Sequence, residues 1–170
     1  AQDASVAGFN PYEQPTVRDL LYGVLLPSGA DACETLARAV GGSEEGFVAM
    51  MNQKAEELGL TNTHFENCTG LHNDNHYSTC RDIAVLMSEC LKSDTFREIV
   101  TREVYTTEAT ASHPEGITLY DTMLHRFTSY EMSTTLENGA VIEGGKTGFT
   151  DEAGQCLVPL YLLLHSELNP

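Results

Sequence analysis

The spacing of apolar residues changes once, near residue 101, and that change limits the chain to a fold in which helices come first and strands after. Up to that point apolar side chains recur every three or four positions: Leu20, Leu21, Val24 and Leu25; Cys33, Leu36 and Val40; Phe47, Met51, Ala55 and Leu58; Ile83, Leu86, Met87, Cys90 and Leu91. Residues three and four apart share one face of a helix, whereas residues two apart share one face of a strand. Beyond residue 101, Glu103-Val-Tyr-Thr-Thr107 and Ile117-Thr-Leu-Tyr120 are rich in β-branched and aromatic residues, with a Pro and Gly turn between them. Ala140-Val-Ile142 then runs as a strand into Gly144-Gly-Lys-Thr-Gly148. The class is α+β: a helical cluster over 16–101, a strand-rich part over 102–158 and an irregular tail over 159–170, where Pro159 interrupts the strand pattern.

Boundary residues sharpen the helices. Thr16-Val-Arg-Asp19 and Thr79-Cys-Arg-Asp82 have capping-box spacing, Ser43 can cap a third helix, and Gly41-Gly42 and Gly59 are stop signals. The spacing predicts helices near 17–26, 29–40, 44–58 and 80–92, packed as one cluster, and a shorter one over 94–100. A strand is predicted over Ile142 to Thr147. The polar stretch from Leu60 to Tyr77 is long for a connection and reads as an ordered functional loop.

Nine basic against 25 acidic residues give a formal net charge of −16, with no basic stripe, which argues against a nucleic-acid partner. The five cysteines show no CxxC or zinc-type spacing. Their odd number leaves at least one thiol free, although one or two bridges remain open. The first residues lack the pattern of a secretory signal, and the apolar run Leu160–Leu164 is too short to cross a bilayer.

The sharpest chemical signal is Lys146-Thr147-Gly148 on a strand, followed by Thr150. Lysine supplies a compact charge for a carboxylate, threonine a hydroxyl, and glycine lets a ligand approach the backbone. A strand edge so equipped can hold an extended peptide. Alone, the triplet reads equally as a solvated strand end. Ser28-Gly29-Ala30-Asp31 lies where one helix stops and the next begins, and a bare reading makes Ser28 a helix cap.

Together these elements resemble the motif set of the serine D-alanyl-D-alanine carboxypeptidases, which pair an S-x-x-K nucleophile with an S-x-N type element and K-T-G. Leu25-Leu-Pro-Ser-Gly-Ala-Asp-Ala-Cys33, Gly59-Leu-Thr-Asn-Thr-His-Phe65, Thr69-Gly-Leu-His72, His76-Tyr-Ser-Thr79 with Asp82, and Gly144-Gly-Lys-Thr-Gly-Phe-Thr150 with Ala153-Gly154 occur in that family's order. The resemblance covers roughly residues 5–158. It implies the helical subdomain and K-T-G strand of a penicillin-recognising, β-lactamase-like transpeptidase fold. It implies acyl transfer on peptidoglycan stem peptides ending in D-Ala-D-Ala, β-lactams as ligands of the full-length enzyme, no cofactor or metal, and an extracytoplasmic place in the cell envelope. It assigns Ser28 a catalytic role as a proton relay. Lys146, Thr147 and Gly148 would bind the substrate's terminal carboxylate, with Ala30 at a substrate-contacting position.

Two departures qualify the resemblance. Ala30 stands where the family usually has Asn and has no side-chain hydrogen-bonding group. The only lysines are Lys54, Lys92 and Lys146, preceded at three positions by Met51, Glu89 and Glu143, so this sequence contains no S-x-x-K. The expectation is a partial, incomplete domain that begins after the nucleophile, is inactive by itself, and is prone to self-association through uncovered apolar surface. Two other readings stay open: a non-catalytic peptidoglycan-peptide binding or scaffold protein, and a metal-loop protein using His72, Asp74 and His76.

Overall fold

The computed structural model describes residues 4–162. Its elements in chain order are α1 (Val17–Leu25), α2 (Ala30–Gly41), α3 (Glu44–Glu57), α4 (Cys80–Cys90), α5 (Asp94–Val100), β1 (Val104–Thr106), β2 (Thr118–Tyr120), α6 (Leu124–Ser129), β3 (Val141–Thr150) and β4 (Gly154–Leu162). The mixed helix and sheet content is the predicted α+β class.

Helix α1 forms the centre. Leu20, Tyr22 and Leu26 are buried with Ala7, Ala32, Ile99 and Leu119, so α1 is enclosed by α2, α5 and the β1–β2 hairpin. Its start is a full capping box: the Thr16 hydroxyl accepts from Asp19 N–H while the Asp19 carboxylate accepts from Thr16 N–H. Asp19 is wholly buried and also accepts from the Tyr105 hydroxyl at 2.9 Å and Glu108 N–H at 3.2 Å. Tyr105 in turn stacks on Tyr22, with ring centroids 3.6 Å apart. One carboxylate thus joins the first helix to the first strand. Its hydrogen bonds hold the Asp19 pKa below its usual value even though burial pushes the other way.

Helices α1, α2 and α3 pack in succession. α4 joins them more loosely: its Leu86 lines an apolar pocket with Phe47, Met51 and Ala55 of α3, and its N-terminal end is attached through the 60–77 loop. Asp82 turns away from a reciprocal cap and accepts from Asn62 N–H at 3.0 Å and the Thr63 hydroxyl at 2.8 Å. The loop's ends are zipped where His64 and Tyr77 exchange backbone hydrogen bonds.

β1 and β2 are antiparallel, with Tyr105 opposite Leu119. β3 and β4 form a second antiparallel pair, Lys146 facing Val158 and Thr147 facing Leu157, with a register shift between Ile142 and Gly144. Two findings depart from the sequence pattern. α6 has no counterpart among the predicted helices, and the tail expected to be irregular from 159 is strand as far as Leu162. Pro159 is accommodated opposite Gly145 because β4 is paired on one side only among the described residues, where a missing N–H is tolerated. The rest of the predicted tail, 163–170, lies outside the described residues.

Candidate active site

Ser28 is placed by a tightly packed turn. Pro27 closes α1, and Gly29 is the N-cap of α2 without any side-chain cap bond, so Ser28 is not the cap that a bare reading suggested. A Cβ on Gly29 would fall 2.7 Å from Ala7 N, Ala7 Cβ and Gly23 O. The chain turns there through Ser28 at φ 60°, a left-handed conformation that costs a non-glycine residue about 1 kcal/mol. Packing on both sides holds that conformation and aims the hydroxyl at β3.

Lys146 meets it. Its Nζ donates to Ser28 Oγ and, at 2.8 Å, to the Thr147 carbonyl. β3 comes so close because Gly144 lies on α5: a Cβ there would sit 2.1 Å from Val100 O. Burial pushes the Lys146 ammonium below its ordinary pKa, and the negative charge of Asp121 opposes part of that shift. Asp121 is itself buried, which raises its pKa, while Met123 N–H at 2.9 Å and Leu124 N–H at 2.6 Å donate to its Oδ1. The neighbouring Thr122 hydroxyl lies 2.5 Å from that of Thr147, and Thr122 N–H donates to Leu26 O at 3.2 Å. The Asp121–Thr122 turn therefore ties the end of α1 to the K-T-G strand.

These residues share a cleft of about 760 Å³, in which Ser28, Ala30, Lys146, Thr147 and Gly148 all take part. Ala30 opens α2 and contributes a largely buried methyl group, with its N–H already donated to Ser5 O at 2.8 Å. Gly148 is exposed at the strand's outer part. The facing wall is the 60–77 loop. There Asn67 Oδ1 accepts from Thr69 N–H and Gly70 N–H at 3.1 and 2.8 Å, and its amide donates to Leu71 O.

Asp121, Thr122 and Asn67 are site residues that motif reading passed over. An Asn followed three positions later by Gly is a local turn signal that would have found Asn67. The histidine cluster does not converge. His72 faces Asp74 at 3.2 Å and Glu152 at 3.9 Å, whereas His76 accepts from Glu66 N–H and packs edge-on against Phe65. Among the described residues no three His, Cys, Asp or Glu side chains come together as a metal site.

The D-alanyl-D-alanine carboxypeptidase family, peptidase S11, matches residues 1–160. The carboxypeptidase DacF of Bacillus subtilis is 37% identical over 148 residues, 86% of this chain and 35% of that protein. A D-alanyl-D-alanine carboxypeptidase of Streptomyces sp. K15 is 38% identical over 152 residues, 86% of this chain and 50% of the relative. The crystal structure of the Streptomyces K15 DD-transpeptidase superposes with a TM-score of 0.77 at 36% identity, covering 93% of this chain and 60% of that one. The chain thus spans between about a third and three fifths of these three proteins. With the cleft, the ordered motifs and these likenesses in agreement, the chain belongs to the D-alanyl-D-alanine carboxypeptidase family.

Proposed function

We propose that this cleft holds the C-terminal D-Ala-D-Ala of a peptidoglycan stem peptide for serine acyl transfer, in which D-alanine leaves and water hydrolyses the acyl-enzyme. The observation that carries the reading is the unfinished hydrogen bonding of Lys146. Its ammonium has three N–H donors, and the two bonds described go to neutral oxygens. The third donor is left for an anion, Asp121 offsets only part of the cost of the buried charge, and a peptide's terminal carboxylate lying along β3 supplies the partner. Thr147, already fixed by Thr122, adds a hydroxyl at the same spot. Gly148 leaves the strand edge open for main-chain bonds.

Ser28 acts as a relay. Its oxygen accepts from Lys146, which leaves its own proton to be donated to the nitrogen of the departing D-alanine. The attacking serine belongs to the S-x-x-K element, which this sequence does not contain. Ala30 offers a methyl where the family usually places an amide, so the penultimate residue is held there by shape alone. β-Lactams fit the same cleft as mimics of the scissile peptide. The setting is the extracytoplasmic cell envelope, and the exposed apolar residues of the β3–β4 pair support self-association of this chain.

The test is binding, read by NMR. An N-acylated D-Ala-D-Ala peptide should shift the resonances of Lys146, Thr147 and Gly148. Its C-terminal amide and the Lys146→Met variant should each bind about 10- to 100-fold more weakly, the worth of one charge-assisted hydrogen bond. Equal affinity for acid and amide would remove the carboxylate role of Lys146. In parallel, intact mass after exposure to a fluorescent penicillin should show no covalent adduct on this chain. A stoichiometric adduct would mean that some serine here is an activated nucleophile and that the relay role of Ser28 is mistaken.

A further inference from the structure

Two of the five cysteines meet at the wall of the cleft, and no step of acyl transfer uses them. Cys33 lies on α2, and its thiol donates to the backbone carbonyl of Cys68 on the 60–77 loop at 2.9 Å. The Cys68 thiol lies 3.5 Å from Glu44 Oε1. Both are half-buried and both line the cleft. The remaining three stand elsewhere: Cys80 and Cys90 at the two ends of α4, and Cys156 on β4. The Cys33 sulfur already touches the Cys68 backbone, so a cysteine on a helix and one on the loop facing it are the close neighbours that a disulfide requires.

We propose that Cys33 and Cys68 are an oxidation site of this protein, closed to a disulfide by exchange with a low-molecular-weight disulfide of the glutathione class. One cysteine thiolate attacks a sulfur of the oxidant, whose S–S bond breaks and releases one small thiolate. The second cysteine thiolate then attacks the mixed disulfide, forming the Cys33–Cys68 bond and releasing the second small thiolate. The two protons lost by the cysteines are taken up by the released thiolates, so two cysteines are oxidised and one small disulfide is reduced to two thiols.

The bond would staple the 60–77 loop to α2 five residues beyond Ser28 and fix the width of the cleft. Burial raises the pKa of both thiols, and Glu34 and Glu44 act in the same direction on the groups they face. The thiols are therefore protonated at neutral pH, and the exchange should accelerate by about tenfold per pH unit as thiolate forms. The bond itself is the readout, so its formation is independent of what the cleft binds.

The folded chain is incubated with oxidised glutathione at neutral and at alkaline pH, then denatured, alkylated and digested for peptide mapping. The expected result is a Cys33–Cys68 linked peptide, formed faster at the higher pH and reversed by dithiothreitol. In the Cys33→Ser variant that peptide is lost and no other internal linkage replaces it. Three results would overturn the proposal: both residues alkylated after the alkaline incubation, each carrying its own glutathione, or either one linked to Cys80, Cys90 or Cys156.

Discussion

Ser28 and Lys146 are each held in a state that an isolated residue avoids, one in backbone conformation and the other in charge. For Lys146 the consequence is measurable through pH. Its folded pKa is depressed by burial below the ordinary 10.5, so between the two values the unfolded chain binds more protons than the folded one. Stability then rises with pH across that window, and the penalty of the buried charge is fully present below it. Urea midpoints of the parent chain relative to Lys146→Met should therefore improve from neutral pH toward about pH 10; parallel pH profiles would mean that Lys146 titrates like a solvated amine. Asp121→Asn removes the charge that offsets part of this shift. The Lys146 pKa, followed by NMR through its side-chain carbons, should fall further in that variant; no change would remove Asp121 as its counter-charge. Lysine, threonine, glycine and serine were legible because the motif names them. Asp121 was not, since its relation to Lys146 exists only once a turn at 121 and a strand at 146 are adjacent.

Among the elements, α1 and β3 carry the site, and each depends on one residue at its seam. Asp19 accepts four hydrogen bonds, from Thr16 N–H and hydroxyl, Tyr105 and Glu108. Asp19→Ala should cost about 3 kcal/mol in urea unfolding, because buried donors are left unpaired, whereas Thr16→Ala loses only a cap and should cost about 1 kcal/mol. Since the Asp19 pKa is lowered, its stabilisation is present above the ordinary 3.8 and is lost as pH falls through the folded value. Gly144→Ala should press a methyl into the Val100 carbonyl, displacing β3 from α5, and lower both stability and peptide affinity. Unchanged affinity would show that β3 can shift without disturbing Lys146. The five long or capped helices could be read from periodicity to within two residues. α6 could not, because six residues are too few to show a period, and β4 was cut short because Pro159 looks like a breaker unless one knows that, among the described residues, its strand is paired on one side.

For the whole molecule, the formal charge of −16 and the exposed apolar residues of the β3–β4 pair act in opposite directions. Phe149, Leu157, Tyr161 and Leu162 are exposed on the β3–β4 pair, which favours association, while like charge opposes it. Sedimentation velocity should show more dimer as ionic strength rises from about 0.01 to about 0.15 M, where the screening length shrinks from about 30 to about 8 Å. A monomer at every salt concentration would rule out self-association through this surface. Motif order made the family legible, and with it the expectation that Ser28 and Lys146 face one cleft, although no local pattern in either segment announces that meeting. That meeting spans 118 positions of chain. Closing so large a loop gives up chain entropy before any contact offsets it, so assembly of the cleft belongs to the late, non-local part of folding. The packing of α1 on α2 and of α2 on α3, by contrast, joins neighbours in the chain. In native-state hydrogen exchange the amides of β3 should accordingly open before those of α1, and a cell making this protein would see its helices protected from proteases while its working surface had yet to exist.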